Sequence, residues 1–202
     1  MRIAILVEGA TEMAFREKLR EFLQSRLEQK MPRLDFKPQH GGIPKEGKLN
    51  RIVENLLDND SYDAVIALTD VYTGKQDFKD ANDAKETMRR WVDKNPNFYP
   101  HTALHDFEAW LLPYWTTIQE LAKHNRSAPS GLPETVNHQK PPSDWIKEIF
   151  RTGKCRRDYD KVSDGMAILK KNDLMIAIQA CPELKAFVNR IISLCDEEKI
   201  IS

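Results

Sequence analysis

What this chain lacks narrows what it can be. Cysteine is scarce: Cys155, Cys181 and Cys195 are odd in number, late, and without C-x-x-C spacing, which excludes a disulfide framework and a cysteine-based zinc site. They read as reduced thiols. A net charge is also missing, since 31 Lys+Arg stand against 31 Asp+Glu, so only the local distribution of charge speaks to partners. Glycine is sparse at eight residues, and the G-x-x-x-x-G-K-[ST] spacing of a phosphate loop is absent. The first apolar run breaks at Glu8, too short for a signal peptide or a membrane span, so the expectation is a cytoplasmic protein with no membrane contact. No internal repeat or sustained heptad is present. With 202 residues, 41% of them hydrophobic, the chain forms one globular domain, or one domain with an appendage.

What is there begins with Ile3-Ala4-Ile5-Leu6-Val7-Glu8-Gly9, an apolar run stopped by a carboxylate and a glycine before a periodic helix with Phe15, Leu19, Phe22, Leu23 and Leu27 on one face. The pattern is strand, tight turn, helix. Glu8 then lies at the carboxyl end of a strand, where open α/β sheets collect their ligand chemistry. The structural alternative is a carboxylate favoured by a helix amino end. Leu34 to Gln39 reads as a second strand, followed by the glycine-rich, basic connection His40-Gly41-Gly42-Ile43-Pro44-Lys45-Glu46-Gly47-Lys48, either an ordinary loop or a contact for phosphate or carboxylate. Leu49, Ile52, Val53, Leu56 and Leu57 give a second helix. The third strand, Tyr62 to Thr69, is apolar throughout its centre, as a strand covered on both faces must be, and it too runs into an acid, Asp70.

A helix from about Ala81 to Lys94 follows, and Phe98 to Leu104 forms a fourth strand in which Pro100 points to an edge position or a strand start. The segment His105-Asp106-Phe107-Glu108-Ala109-Trp110-Leu111 brings a third set of acids. Asp106 reads as a helix cap and Glu108 as a first-turn dipole partner, or Glu108 rises with His105 at the same edge of a parallel sheet as Glu8 and Asp70.

Taken together, Val7-Glu8-Gly9-Ala10-Thr11-Glu12, Asp70-x-Tyr72-x-Gly74 and His105-x-Phe107-Glu108-Ala109-Trp110-Leu111 resemble the TOPRIM domain of topoisomerases, bacterial primases and OLD-type nucleases. More closely, they are similar to a bacterial TOPRIM-like family of unknown function, typically encoded beside an ABC-type or SMC-like ATPase. Tyr159-x-Lys161 and Cys181-Pro182 extend the likeness over most of the chain. The resemblance implies a Rossmannoid, four-stranded parallel sheet flanked by helices with a helical carboxyl-terminal region. It also implies a Mg²⁺- or Mn²⁺-dependent nuclease, the effector of a bacterial defence or toxin-like system, acting on nucleic acid with an ATPase partner. Glu8 and Asp70 would be metal ligands, with Glu12 a further one. Where the parent domain offers Asp-x-Asp, this chain has Asp70-Val71-Tyr72, so Glu108 is the candidate replacement. Glu8, Glu108 and His105 would carry the catalysis, since an imidazole titrates near neutrality. Unrelieved like charge at such a cluster should raise the pKa of at least one member. Two other classes stay open: a non-catalytic partner-binding subunit with a degenerate site, and an α/β enzyme acting on a small phosphorylated substrate.

Beyond the core, residues 1–124, the prolines and glycine of residues 125–143 read as a long exposed loop, and residues 144–202 as a helical region packed on the core. The tail's apolar residues fall into three helical sets: Trp145, Ile149 and Phe150; then Val162, Met166, Ile168 and Leu169; then a run from Leu184 to Leu194 after Pro182. Basic residues gather at its first joint. Lys154, Arg156, Arg157 and Lys161 are the nucleic-acid-binding candidates, against the reading of a solvated charged face.

Overall fold

The computed structural model describes residues 1–39, 41–71, 78–135 and 140–202; the side chains of residues 10–12 also lie outside the description. The fold is α/β, with one four-stranded sheet flanked by helices. Its strands are β1 (Arg2–Val7), β2 (Arg33–Pro38), β3 (Ala64–Val71) and β4 (Phe98–Leu104), all parallel, in the order β2-β1-β3-β4. The unbroken apolar run places β3 inside, and β4 with Pro100 falls at the edge, because a residue without an N–H is tolerated there.

Alternation along each strand sends side chains to two separate cores. Ile3, Ile5, Val7, Ile66 and Leu68 face α1 (Ala10–Leu27) and the carboxyl-terminal helices, whereas Ala4, Leu6, Val65 and Ala67 face α2 (Glu46–Glu54) and α3 (Ala81–Trp91). Helical periodicity fixes which residues of each helix are buried: Phe15, Leu19, Leu23 and Leu27 of α1, and Leu49 and Val53 of α2. The first core continues into α4 (Trp115–Ala122), α5 (Pro142–Thr152), α6 (Ser163–Lys170), α7 (Leu174–Ala180) and α8 (Pro182–Cys195). Where α4 and α5 end against each other the backbones nearly touch, and a Cβ at Gly153 would overlap the Ala122 carbonyl oxygen. Among the described residues no helix is long and apolar enough to cross a membrane.

The tail is fastened by two buried acids. α5 and α8 both start on proline, and their capping positions, Pro141 and Cys181, offer no side-chain acceptor to the free N–H groups of the first turn. Acceptors come from elsewhere in the chain. Asp106 Oδ2 accepts from the Ser143 N–H at 3.2 Å, and Glu134 accepts from the N–H groups of Glu183 (3.0 Å) and Leu184 (3.3 Å) and from the Trp110 indole (3.0 Å). Two sequence expectations change here. Asp106 makes no side-chain cap bond to the helical segment that follows it, Phe107–Tyr114, but caps α5 instead. The proline-rich stretch, expected to be an exposed loop, buries Glu134 to 4% exposure and yields Pro142 and Ser143 to α5, because that carboxylate satisfies donors of α8.

Candidate functional site

β1 stops at Val7, paired with Leu68, while β3 runs on to Val71. The Asp70 N–H therefore finds no main-chain acceptor on β1, and a buried N–H without a partner is costly. Glu8 fills the gap with its side chain: Oε1 accepts from the Asp70 N–H at 3.0 Å and from the Thr69 hydroxyl. The two strand-end acids are thus brought into direct contact. Both are half-buried, and Gly42, at φ +101°, lies against the other Glu8 oxygen, where its Cβ would be 4.0 Å away. Gly42 belongs to the glycine-rich connection singled out in the sequence, whereas Thr69 was not marked out, because a hydroxyl beside Asp70 is too common a pattern to signal a contact with Glu8.

On the neighbouring strand, β4 and its continuation deliver a second acidic group. The His105 N–H donates to the Val71 carbonyl at 3.0 Å, and its backbone then turns through φ +70°, an uncommon conformation for a residue with a side chain. His105, Asp106 and Glu108 are all buried. Burial pushes the Asp106 carboxyl above its ordinary pKa, against the Ser143 hydrogen bond. Glu108 is pushed up to about 7, by burial first and by the charge of Asp106 second, with Lys161 opposing. Desolvation is the larger cause, ahead of the like-charge repulsion that the sequence suggested.

Lys161, 53 residues away, is the cation of this site: its ammonium lies 3.1 and 3.2 Å from the two Glu108 oxygens. Burial works against its charge, yet Glu108, Asp106 and Asp70 outweigh that and hold its pKa above the usual lysine value. Since Asp70 acts on the same ammonium, Lys161 connects the Glu8–Asp70 contact to the Asp106–Glu108 pair. Tyr159, two residues earlier, is buried against Phe150 at a ring separation of 5.4 Å, and burial with the nearby carboxylates pushes its phenol up.

The other basic candidates do not converge here in the same way. Arg157 is held by Asp164 in a two-pronged ion pair, 2.6 Å on each arm, whereas Lys154 and Arg156 are exposed. The side chain of Glu12 lies outside the described residues, as do His40 of the glycine-rich connection and Tyr72 and Gly74 of the second motif. Among the described residues no group of three His, Cys, Asp or Glu side chains is arranged to hold a metal ion. One or two carboxylates nevertheless suffice for Mg²⁺, which keeps several of its waters. Glu8, which meets Asp70 through the Asp70 N–H, and Asp70 itself lie at the same strand-end edge, and Glu108 carries Lys161 on both its oxygens.

A sequence family described as a domain of unknown function, DUF4276, matches residues 7–192. No curated protein matches the chain. Similar solved structures include three of the C-terminal region of the Xanthomonas campestris pv. campestris OLD protein, phased with mercury, platinum and iodine. Their identities are 15%, 14% and 16%, and their TM-scores 0.43, 0.45 and 0.41. They cover 92%, 93% and 97% of this chain and 95%, 93% and 96% of their own.

Proposed function

The chain belongs to the DUF4276 family, and from its site we propose that it is a metal-dependent nuclease that cleaves phosphodiesters in DNA or RNA. The observation that carries this reading is the contact of Glu8 with the Asp70 N–H across the tips of β1 and β3, beside a Lys161 ammonium that lies on Glu108 and feels the charge of Asp70. Glu8 and Asp70 would hold Mg²⁺ or Mn²⁺, which supplies Lewis-acid polarisation of a phosphodiester and stabilises the departing oxygen. Glu108, titrating at about 7, is suited to take a proton from an attacking water or return one to the leaving oxygen at neutral pH. Burial first, and the charge of Asp106 second, keep that value high. Lys161 offers a positive charge to the phosphate and is freed from its ion pair whenever Glu108 is protonated. His105 is the further acid–base or phosphate-contacting candidate. A role as effector of a bacterial defence system, working with an ABC-type or SMC-like ATPase, is supported by the TOPRIM-like motifs of the sequence and by nothing in the geometry.

Divalent metal should raise the melting temperature of the wild type and support cleavage of single- or double-stranded DNA or RNA. Glu8→Ala and Asp70→Ala should abolish both responses while leaving the fold intact, because neither carboxylate is part of the apolar core, although Glu8→Ala also strips the acceptor from the Asp70 N–H and should cost about 1–2 kcal/mol. A wild type that melts identically with and without Mg²⁺ and Mn²⁺ would sink the reading. A second reading, a non-catalytic partner-binding subunit, is favoured by one observation: Glu108 is held in an ion pair by Lys161.

A further inference from the structure

Beside the acids lies a pocket of about 400 Å³ between the first turns of α1, the end of β2 and the start of α6. Met13, Ala14, Arg16 and Glu17 come from α1 and Pro38 from β2, Met166 comes from α6 with Val162 just before it, and Gly9 completes the lining. Two of its walls begin one residue from the site just described. Gly9 follows Glu8, and Val162 follows Lys161, whose ammonium lies on Glu108. A strand with a phosphodiester at Glu8 and Asp70 would then direct a flanking nucleotide towards this pocket.

The chemistry of the lining decides what enters. Most of it is apolar, and Val162 is left 37% exposed. Met13 and Met166 are soft, adaptable thioethers that contact aromatic rings well. Arg16 adds a planar guanidinium of the kind that stacks on bases, and its buried Nε has no partner among the described residues. The exposed Glu17 carboxylate repels a phosphate but accepts a hydrogen bond from an exocyclic amine. A flat, uncharged, aromatic group meets all of these conditions, and a phosphate or a paired duplex does not. We propose that this pocket receives one unpaired nucleobase flanking the phosphodiester held at the acids, so that the enzyme acts on single-stranded or locally opened nucleic acid. The strand's identity rests on the nuclease reading above; the pocket's preference for a base does not.

The test uses the full chain with Ca²⁺ in place of Mg²⁺ or Mn²⁺, and with hexathymidylate carrying a single 2-aminopurine, whose emission is quenched by stacking in the free strand. Binding to the wild type should raise that emission several-fold, and an abasic replacement at the same position should weaken binding by roughly 5- to 150-fold, the range for losing one stacked base. Met166→Trp, which fills the pocket, and Arg16→Ala, a substitution on a half-exposed helix face, should each remove at least half of the emission change while fluorescence anisotropy still reports binding through the phosphates. Either variant matching the wild type would overturn the proposal. So would unchanged emission on a bound strand, equal binding of the abasic oligonucleotide, or no binding at all. Free 2-aminopurine nucleotide producing the same response at the same concentration would assign the pocket to a mononucleotide instead, and that also overturns it. Loss of metal response and cleavage with the emission change intact would sink the nuclease and leave the base pocket standing.

Discussion

Replacing Glu108 by glutamine removes one charge and almost no volume, and the structure says how the stability of the protein should respond. The Glu108 carboxyl titrates near 4.5 in the unfolded chain and at about 7 in the folded one, chiefly because it is buried. The folded state therefore binds more protons than the unfolded state between these values. Stability contributed by the protonated group is fully present below pH 4.5 and is lost as pH rises through 7. One pKa unit corresponds to about 1.4 kcal/mol, so the whole shift amounts to about 3 kcal/mol, of which about 2.5 kcal/mol falls between pH 5 and pH 8. Glu108→Gln abolishes this titration. Lys161, 41% exposed, regains water when its partner is neutral, so little of the lost ion pair offsets the gain. Urea denaturation at pH 5, 6, 7 and 8, in EDTA, should show the stability of the variant relative to the wild type improving by about 2.5 kcal/mol from pH 5 to pH 8. In a chain of this length that is a relative rise of roughly 5–10 °C in melting temperature. Because Asp106 shares the site, the flattened slope belongs to the pair rather than to Glu108 alone. Parallel pH profiles for the two proteins would refute the reasoning.

His101 should act in the opposite sense. Burial, with Lys85, Arg190 and Arg89 adding to it, lowers its pKa from 6.5 to about 3, so the wild type loses about 2 kcal/mol between pH 7.5 and pH 5; His101→Phe, which keeps the ring contact with Phe187, should lose that part of the slope in acid denaturation curves. Glu134→Ala strips the acceptor from the Trp110 indole and from two N–H groups of α8, and should cost about 3 kcal/mol in urea midpoints, with a shift in tryptophan emission; a loss under 1 kcal/mol would count against the fastening role. Lys154→Ala combined with Arg156→Ala should lower the log–log salt slope of nucleic-acid binding by about 1.5 to 2, whereas Arg157→Ala, which breaks an ion pair with Asp164, should reduce stability and leave the slope unchanged.

Local pattern settled the sheet. An apolar run can be buried on both faces only inside a covered parallel sheet, so Ala64 to Leu68 had to be interior. Proline without its N–H had to be near an edge, which is where Pro100 lies. The same logic put Glu8 and Asp70 at strand ends on one side of the sheet, because parallel strands share a direction. What periodicity could not supply is the partner of a buried charge. Asp106 looks like a cap for the residues that follow it and instead accepts from Ser143, 37 residues on. Glu134, in a stretch whose prolines read as exposed loop, is buried by donors 49 and 50 residues later. Lys161 looks like one more residue of a basic surface run and instead lies on Glu108, 53 residues before it. In each case the governing quantity is desolvation of a charged group, which depends on everything packed around it and not on its neighbours in the chain. Secondary structure, the interior place of β3 and the edge place of β4 were therefore written in contiguous residues, while the full strand order and the protonation and pairing of the acids were decided only by the tertiary structure.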